Sequence, residues 1–165
     1  MPGAPFLYYG DEIGMRYLPL PTKEGGYTRT GSRTPMQWDS GKNLGYSDAA
    51  PQRLYLPVDP SPDAPTVAVQ QDDPNSLLNT VRALLRLRHA EADLQADAPF
   101  EALCTEPGKP FVYRRGALLL AVNPSAEALC AEVDCATMAP LYHIGRSEAD
   151  GRRLTLGPQS FLVLK

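Results

Sequence analysis

The chain has 165 residues, of which 43% are hydrophobic, 21% charged and 8% aromatic, with a formal net charge of -3. That apolar content supports a core and excludes wholesale disorder, while the acidic balance removes the electrostatic attraction that non-specific binding to nucleic acid or to an anionic membrane requires. The length excludes a complete (β/α)8 barrel, which takes about 250 residues.

In chain order, residues 5–9 read as a short, fully apolar strand ahead of a Gly10-Asp11 turn signal. Such a strand is typical of parallel α/β sheets, yet the sequence offers it no βαβ partner. Residues 14–73 then run with little periodicity, punctuated by Gly25-Gly26, Gly31 and Gly41 and rich in proline after Pro51. Loops of that length usually serve a binding site or cover another surface. Asp73 as N-cap, Pro74 in the first helical position and Leu77, Leu78, Val81, Leu84 and Leu85 at helical spacing predict a helix over 74–92. Arg88 falls within its leucine stripe and needs a carboxylate or several carbonyls from outside the helix. From residue 100 onward, apolar runs at 100–104, 111–114, 118–122, 129–133, 141–144, 154–156 and 161–164 alternate with turns and predict an antiparallel sandwich. The natural domains are therefore 1–95 and 96–165.

The composition restricts the chemistry. Cys104, Cys130 and Cys135 lack C-x-x-C spacing and read as unpaired thiols of a reducing, cytoplasmic compartment. The apolar run at 117–122 is too short to span a membrane, and the N-terminus carries no leader pattern. His89 and His143 have no partners at metal-ligand spacing, and neither a G-x-S-x-G elbow nor a phosphate-cradling glycine motif occurs, so neither metal nor cofactor is expected. Asp11 and Glu12 follow the first strand at its C-terminal end, where parallel α/β folds place active sites. As neighbours on an extended chain they point to opposite faces and cannot straddle a glycosidic bond, so the competing reading is a carboxylate that locks a turn or pairs with an arginine such as Arg88. The run from Arg33 to Asp39 combines a guanidinium, an amide, an indole and a carboxylate in one Pro-fixed loop. That mixture suits sugars, although Trp38 filling a core and Arg33 in an ion pair fit the same residues.

Two stretches, Met-Pro-Gly-Ala-Pro-Phe-Leu-Tyr-Tyr-Gly-Asp-Glu-Ile-Gly-Met at the N-terminus and Gly-Ser-Arg-Thr-Pro-Met-Gln-Trp-Asp ending at Asp39, resemble the α-amylase family of glycoside hydrolases. The similarity is to its oligo-1,6-glucosidase, α-glucosidase and trehalose-synthase-like branch. The resemblance implies that residues 1–95 are the last strand, long loop and last helix of a truncated (β/α)8 barrel and that the remainder is the family's C-terminal β-sandwich, giving a mostly β fold. It implies a retaining enzyme acting on α-glucosides, by hydrolysis or transglucosylation, whose three catalytic carboxylates lie on earlier barrel strands. The chain is then a C-terminal fragment, inactive alone. Arg33 becomes the contact to the sugar beyond the scissile bond, while Glu12, Arg88 and Trp38 become structural. Self-association through the exposed barrel remnant is the partner expected of such a piece. The alternative is a carbohydrate-binding or a purely structural, interaction β-sandwich; against the carbohydrate-binding form stands the lack of any tryptophan after residue 100 to make a stacking platform.

Overall fold

The computed structural model describes residues 2–22 and 28–165, so Gly25-Gly26 lies outside the described residues. The chain forms two compact units, Pro5–Leu87 and Arg88–Lys165, the second also taking in the N-terminal residues through Ala4.

The second unit is a β-sandwich. Its strands are β1 (Phe100–Cys104), β2 (Phe111–Arg115), β3 (Leu118–Asn123), β4 (Leu129–Glu132), β5 (Pro140–Ile144), β6 (Ser147–Asp150), β7 (Arg153–Leu156) and β8 (Ser160–Leu164). One sheet runs β1-β2-β3-β8-β5 and the other β4-β7-β6, with every pairing antiparallel. Alternation explains the core: Val112, Leu119, Ala121, Leu162 and Leu164 project from the larger sheet onto Ala131, Leu154 and Leu156 of the smaller. Each fully buried leucine contributes about 1.5–3 kcal/mol over an exposed one. Seven of the eight strands coincide with the apolar runs of the sequence; β6, Ser-Glu-Ala-Asp, does not. It is an edge strand whose core-side positions, Ser147 and Ala149, face Leu156 and Leu154 across the β7 ladder, and it carries no apolar signature of its own.

Two buried polar side chains close the ends of this unit. Asn123 Nδ2 donates to the carbonyls of Glu127, Leu156 and Gly157, and its Oδ1 accepts from the amide and hydroxyl of Ser125. Arg115, 0% exposed, donates to the carbonyls of Gln95, Ala98 and Pro99, which ties the segment before β1 to β2. Arg88 Nη2 donates to the Gly3 carbonyl at 2.8 Å.

The first unit is mostly irregular. Its helices are α1 (Val67–Gln71) and α2 (Leu77–Ala90), joined by short 3-10 turns elsewhere. The strand expected at 5–9 is not formed: a strand exists only by pairing, and those residues join no ladder among the described residues. The helix begins later than its sequence signals imply. Asp73 spends its carboxylate on the Asn75 amide in a turn, and Ser76 caps instead, its hydroxyl accepting from Asn79 N at 3.2 Å. Only Leu78 of the leucine stripe is buried, in a small core with Ile13 and Met36; Leu77 and Leu85 are exposed, as are Phe6, at 97%, and Leu7. Among the described residues no helix is long and apolar enough to cross a membrane.

The Asn123 clamp generates a test. Asn123→Ala strands three carbonyls at the end of the sandwich, and each buried polar group left unpaired costs roughly 1–3 kcal/mol. Urea unfolding followed by far-ultraviolet circular dichroism is expected to show the loss in midpoint with the slope unchanged.

Candidate active-site cleft

The Arg-Thr-Pro-Met-Gln-Trp segment is built from the inside outward. Its four central residues, Thr34 to Gln37, are buried, whereas Arg33 and Trp38 at its ends are exposed. Gln37 fixes the centre: its Nε2 donates to the Pro65 carbonyl, and its own carbonyl accepts from Val67 N at 3.1 Å. The Trp38 carbonyl accepts from Ala68 N at 2.8 Å. The otherwise unpartnered first amides of α1 are thereby spent on this loop. Gly31, just upstream, packs so close to the Leu18 carbonyl that a Cβ there would overlap it.

The Gly-Asp-Glu turn brings a second wall. Gly10 and Gly14 adopt φ of 92° and 70°, which a side chain would resist. Asp11 Oδ2 accepts from Tyr8 N at 3.0 Å and Glu12 Oε2 from Gly10 N at 2.7 Å, so each carboxylate bonds the backbone of its own turn. Tyr9 lies tilted beside Tyr8 with ring centroids 4.6 Å apart and donates its hydroxyl to the Thr34 carbonyl at 3.1 Å. The turn and the loop are joined there.

Between them opens a cleft of about 440 Å³. Buried Pro35, Met36 and Leu56, with Leu54, give it an apolar lining; Tyr9, Glu12, Arg33, Trp38, Tyr46 and Tyr55 give it polar and aromatic character. Of the residues singled out in the sequence, Arg33, Glu12 and Trp38 share this cleft and Arg88 is not among its lining residues. Tyr9, Tyr46 and Tyr55 were not legible as site residues; their exposure shows only in the folded chain. A guanidinium with several partly exposed rings can hold hydroxyls in the plane of a sugar while its C–H face lies against a ring. Among the described residues no three histidine, cysteine, aspartate or glutamate side chains gather into a metal-binding group.

The Tyr9 phenol is pushed above its ordinary value, first by burial, then by the Tyr8 and Tyr46 phenols, with the Arg33 charge acting in the opposite direction.

Comparison with known proteins places this geometry. Residues 1–97 match the family model of the alpha-amylase catalytic domain, and the chain belongs to that family of glycoside hydrolases and transglucosidases. It is 35% identical over 144 residues to a probable oligo-1,6-glucosidase 2 of Bacillus subtilis, covering 70% of this chain and 25% of that protein. It is 30% identical over 178 residues to a trehalose synthase of Thermus thermophilus, covering 98% of this chain and 18% of that one. The fold matches the trehalulose synthase MutB of Pseudomonas mesoacidophila MX-45 with a TM-score of 0.81 at 23% identity, over 99% of this chain and 36% of that one. The chain thus spans about a quarter or less of these two curated relatives.

Tyr9 gives the cleft a pH signature. Its raised value means that the stability it contributes is complete below the unfolded phenol value near 10 and is lost as pH rises through the folded value. Arg33→Ala is expected to move the Tyr9 titration further upward, read from the 13Cζ resonance with Tyr9→Phe as assignment control; a downward move contradicts the placement of Arg33 beside Tyr9.

Proposed function

We propose that the chain is the C-terminal portion of a retaining α-glucoside-acting hydrolase or transglucosidase, that it supplies one rim of the active site, and that it lacks the catalytic carboxylates. Arg33 contacts the sugar beyond the scissile bond, and Glu12 and Trp38 brace the rim. The observation that carries this reading is the make-up of the cleft: recognition groups surround it, but among the described residues Glu12 is the only carboxylate that lines it. Retention through a covalent intermediate requires two carboxyl groups about 5–5.5 Å apart. Glu12, bonded to its own turn through Oε2, is one group and cannot serve as nucleophile and acid together. The names of the similar enzymes, an oligo-1,6-glucosidase and trehalose synthases, support glucosides as the substrate class. Three unpaired thiols favour a reducing, cytoplasmic setting.

Incubated alone with an aryl α-glucoside, the chain is expected to release no aryl alcohol. Turnover that co-purifies with it and vanishes in Glu12→Gln would overturn the assignment. Joined to the upstream barrel of a related oligo-1,6-glucosidase, it is expected to restore turnover, and Arg33→Ala should lower kcat/KM roughly 10–100-fold, the value of a charged hydrogen bond.

A second expectation rests on the exposed side chains of the first unit. Phe6, Leu7, Leu77 and Leu85 present apolar surface without cover, and such surface finds partners. Light scattering at about 100 μM, where exposed apolar surface drives association, is expected to show species larger than a monomer, dissociated by the pair Phe6→Ser and Leu7→Ser. A monomer at that concentration argues against association through these side chains.

A further inference from the structure

We infer that Tyr46 is the ring against which a pyranose stacks in this cleft, and that the left-handed run Asn43-Leu44-Gly45 exists to hold it there. The inference rests on the reading of the cleft as a sugar site and gives that site its selectivity: a gluco-configured pyranoside, with a flat C–H face, over an open-chain polyol of the same hydroxyl content.

The backbone is the first ground. Asn43, Leu44 and Gly45 take φ of 51°, 55° and 74° in succession. Left-handed backbone is uncommon for a leucine and persists only where the surroundings over-determine it. Here they do. Buried Asn43 donates Nδ2 to the carbonyls of Ser47 at 2.6 Å and Ala49 at 2.9 Å. The Leu44 carbonyl accepts from Trp38 N at 2.8 Å and Asp39 N at 3.2 Å. Gly45 sits where a Cβ would come within 2.7 Å of the Asp39 carboxylate, so a side chain there would strain the left-handed backbone and displace that carboxylate. The next residue in the chain is Tyr46, 52% exposed and on the cleft. So much constraint spent on presenting a half-exposed ring stabilises no core.

The company of Tyr46 is the second ground. Trp38, 49% exposed, lines the same cleft from the other end of the loop that Leu44 closes. Among the described residues, neither ring belongs to a stacked or tilted aromatic pair, whereas Tyr9 is already paired with Tyr8 and its hydroxyl is spent on Thr34. Two unpaired rings and one guanidinium then offer complementary chemistry. Arg33 takes vicinal hydroxyls through its planar fork, and an aromatic face takes the axial C–H bonds of the ring. An acyclic polyol satisfies the first contact and not the second.

Trp38 is the only tryptophan of the chain, so its emission reports on the cleft directly. Titration of the full chain with isomaltose is expected to change that emission saturably, and sorbitol is expected to leave it unchanged. Tyr46→Ala and Tyr46→Leu should each weaken isomaltose binding about tenfold, the scale of an aromatic contact, while Tyr46→Phe binds as the unsubstituted chain does. Asn43→Ala should weaken binding as Tyr46→Ala does and add nothing to it; additive losses would overturn the positioning role of Asn43. If Tyr46→Ala binds normally while Arg33→Ala does not, stacking is refuted and the sugar cleft stands. If the unsubstituted chain gives no saturable change with isomaltose, the stacking role is refuted whether or not the joined enzyme restores turnover. Loss of both signals refutes the cleft as well. Because Tyr46 is half exposed, its substitutions are expected to leave the unfolding midpoint unchanged, which separates lost contact from lost fold.

Discussion

A backbone that forms no ladder must satisfy its amides and carbonyls by other means, and in residues 5–87 that burden falls on a few amide side chains. Gln37 joins the Arg-Thr-Pro-Met-Gln-Trp loop to the entrance of α1. Gln70 at the end of α1 donates to the Ile13 carbonyl and accepts from Leu78 N, and Asn79 gathers the carbonyls of Gln70, Gln71 and Asp73. Asn43 does the same for the turn before Tyr46. Arg16 adds a charged staple, binding the Asp63 carbonyl and carboxylate with buried Asp59 3.9 Å away. The small core of Ile13, Met36 and Leu78 could not fix so long a chain alone.

This explains what the sequence could and could not reveal. In the sandwich, order comes from alternating burial, which is written in the residues themselves: Leu118 to Val122 and Phe161 to Leu164 name their strands. β6 escaped because its neighbours, not its own side chains, supply the apolar contact. In the first unit, order comes from which carbonyl a given amide reaches, and no periodicity encodes that. Asp73 and Ser76 are both good caps; only the folded turn decides that Ser76 serves α2 while Asp73 serves Asn75.

The site shows the same division within one motif. As a string, Arg33 to Asp39 is a dense set of recognition groups with no ranking. Folded, it separates into a buried brace, Thr34 to Gln37, and two exposed ends. Tyr46 and Tyr55 join those ends from a stretch that has no repeat and no apolar stripe, so nothing in their sequence neighbourhood distinguishes a presented ring from a packed one. Arg88 shows the reverse: its place in a leucine stripe signalled the need for an outside partner, and that partner is the Gly3 carbonyl, while the stripe around it is only partly covered.

Met36 links packing to recognition. It belongs to the small core with Ile13 and Leu78 and also lines the cleft. Interiors are close-packed, so a change of volume at Leu78 is felt by its neighbours. The one buried leucine of α2 therefore bears on a wall of the cleft, and the turn that holds Glu12 bears on it too, through Ile13. Arg33 and Trp38 flank the buried brace that contains Met36, so the placement of both rim residues depends on this packing as well as on the hydrogen bonds of Gln37. A rim built this way owes its geometry to the helix stripe and the Gly-Asp-Glu turn together, which is why those two features and the Arg-Thr-Pro-Met-Gln-Trp loop form a single structural unit.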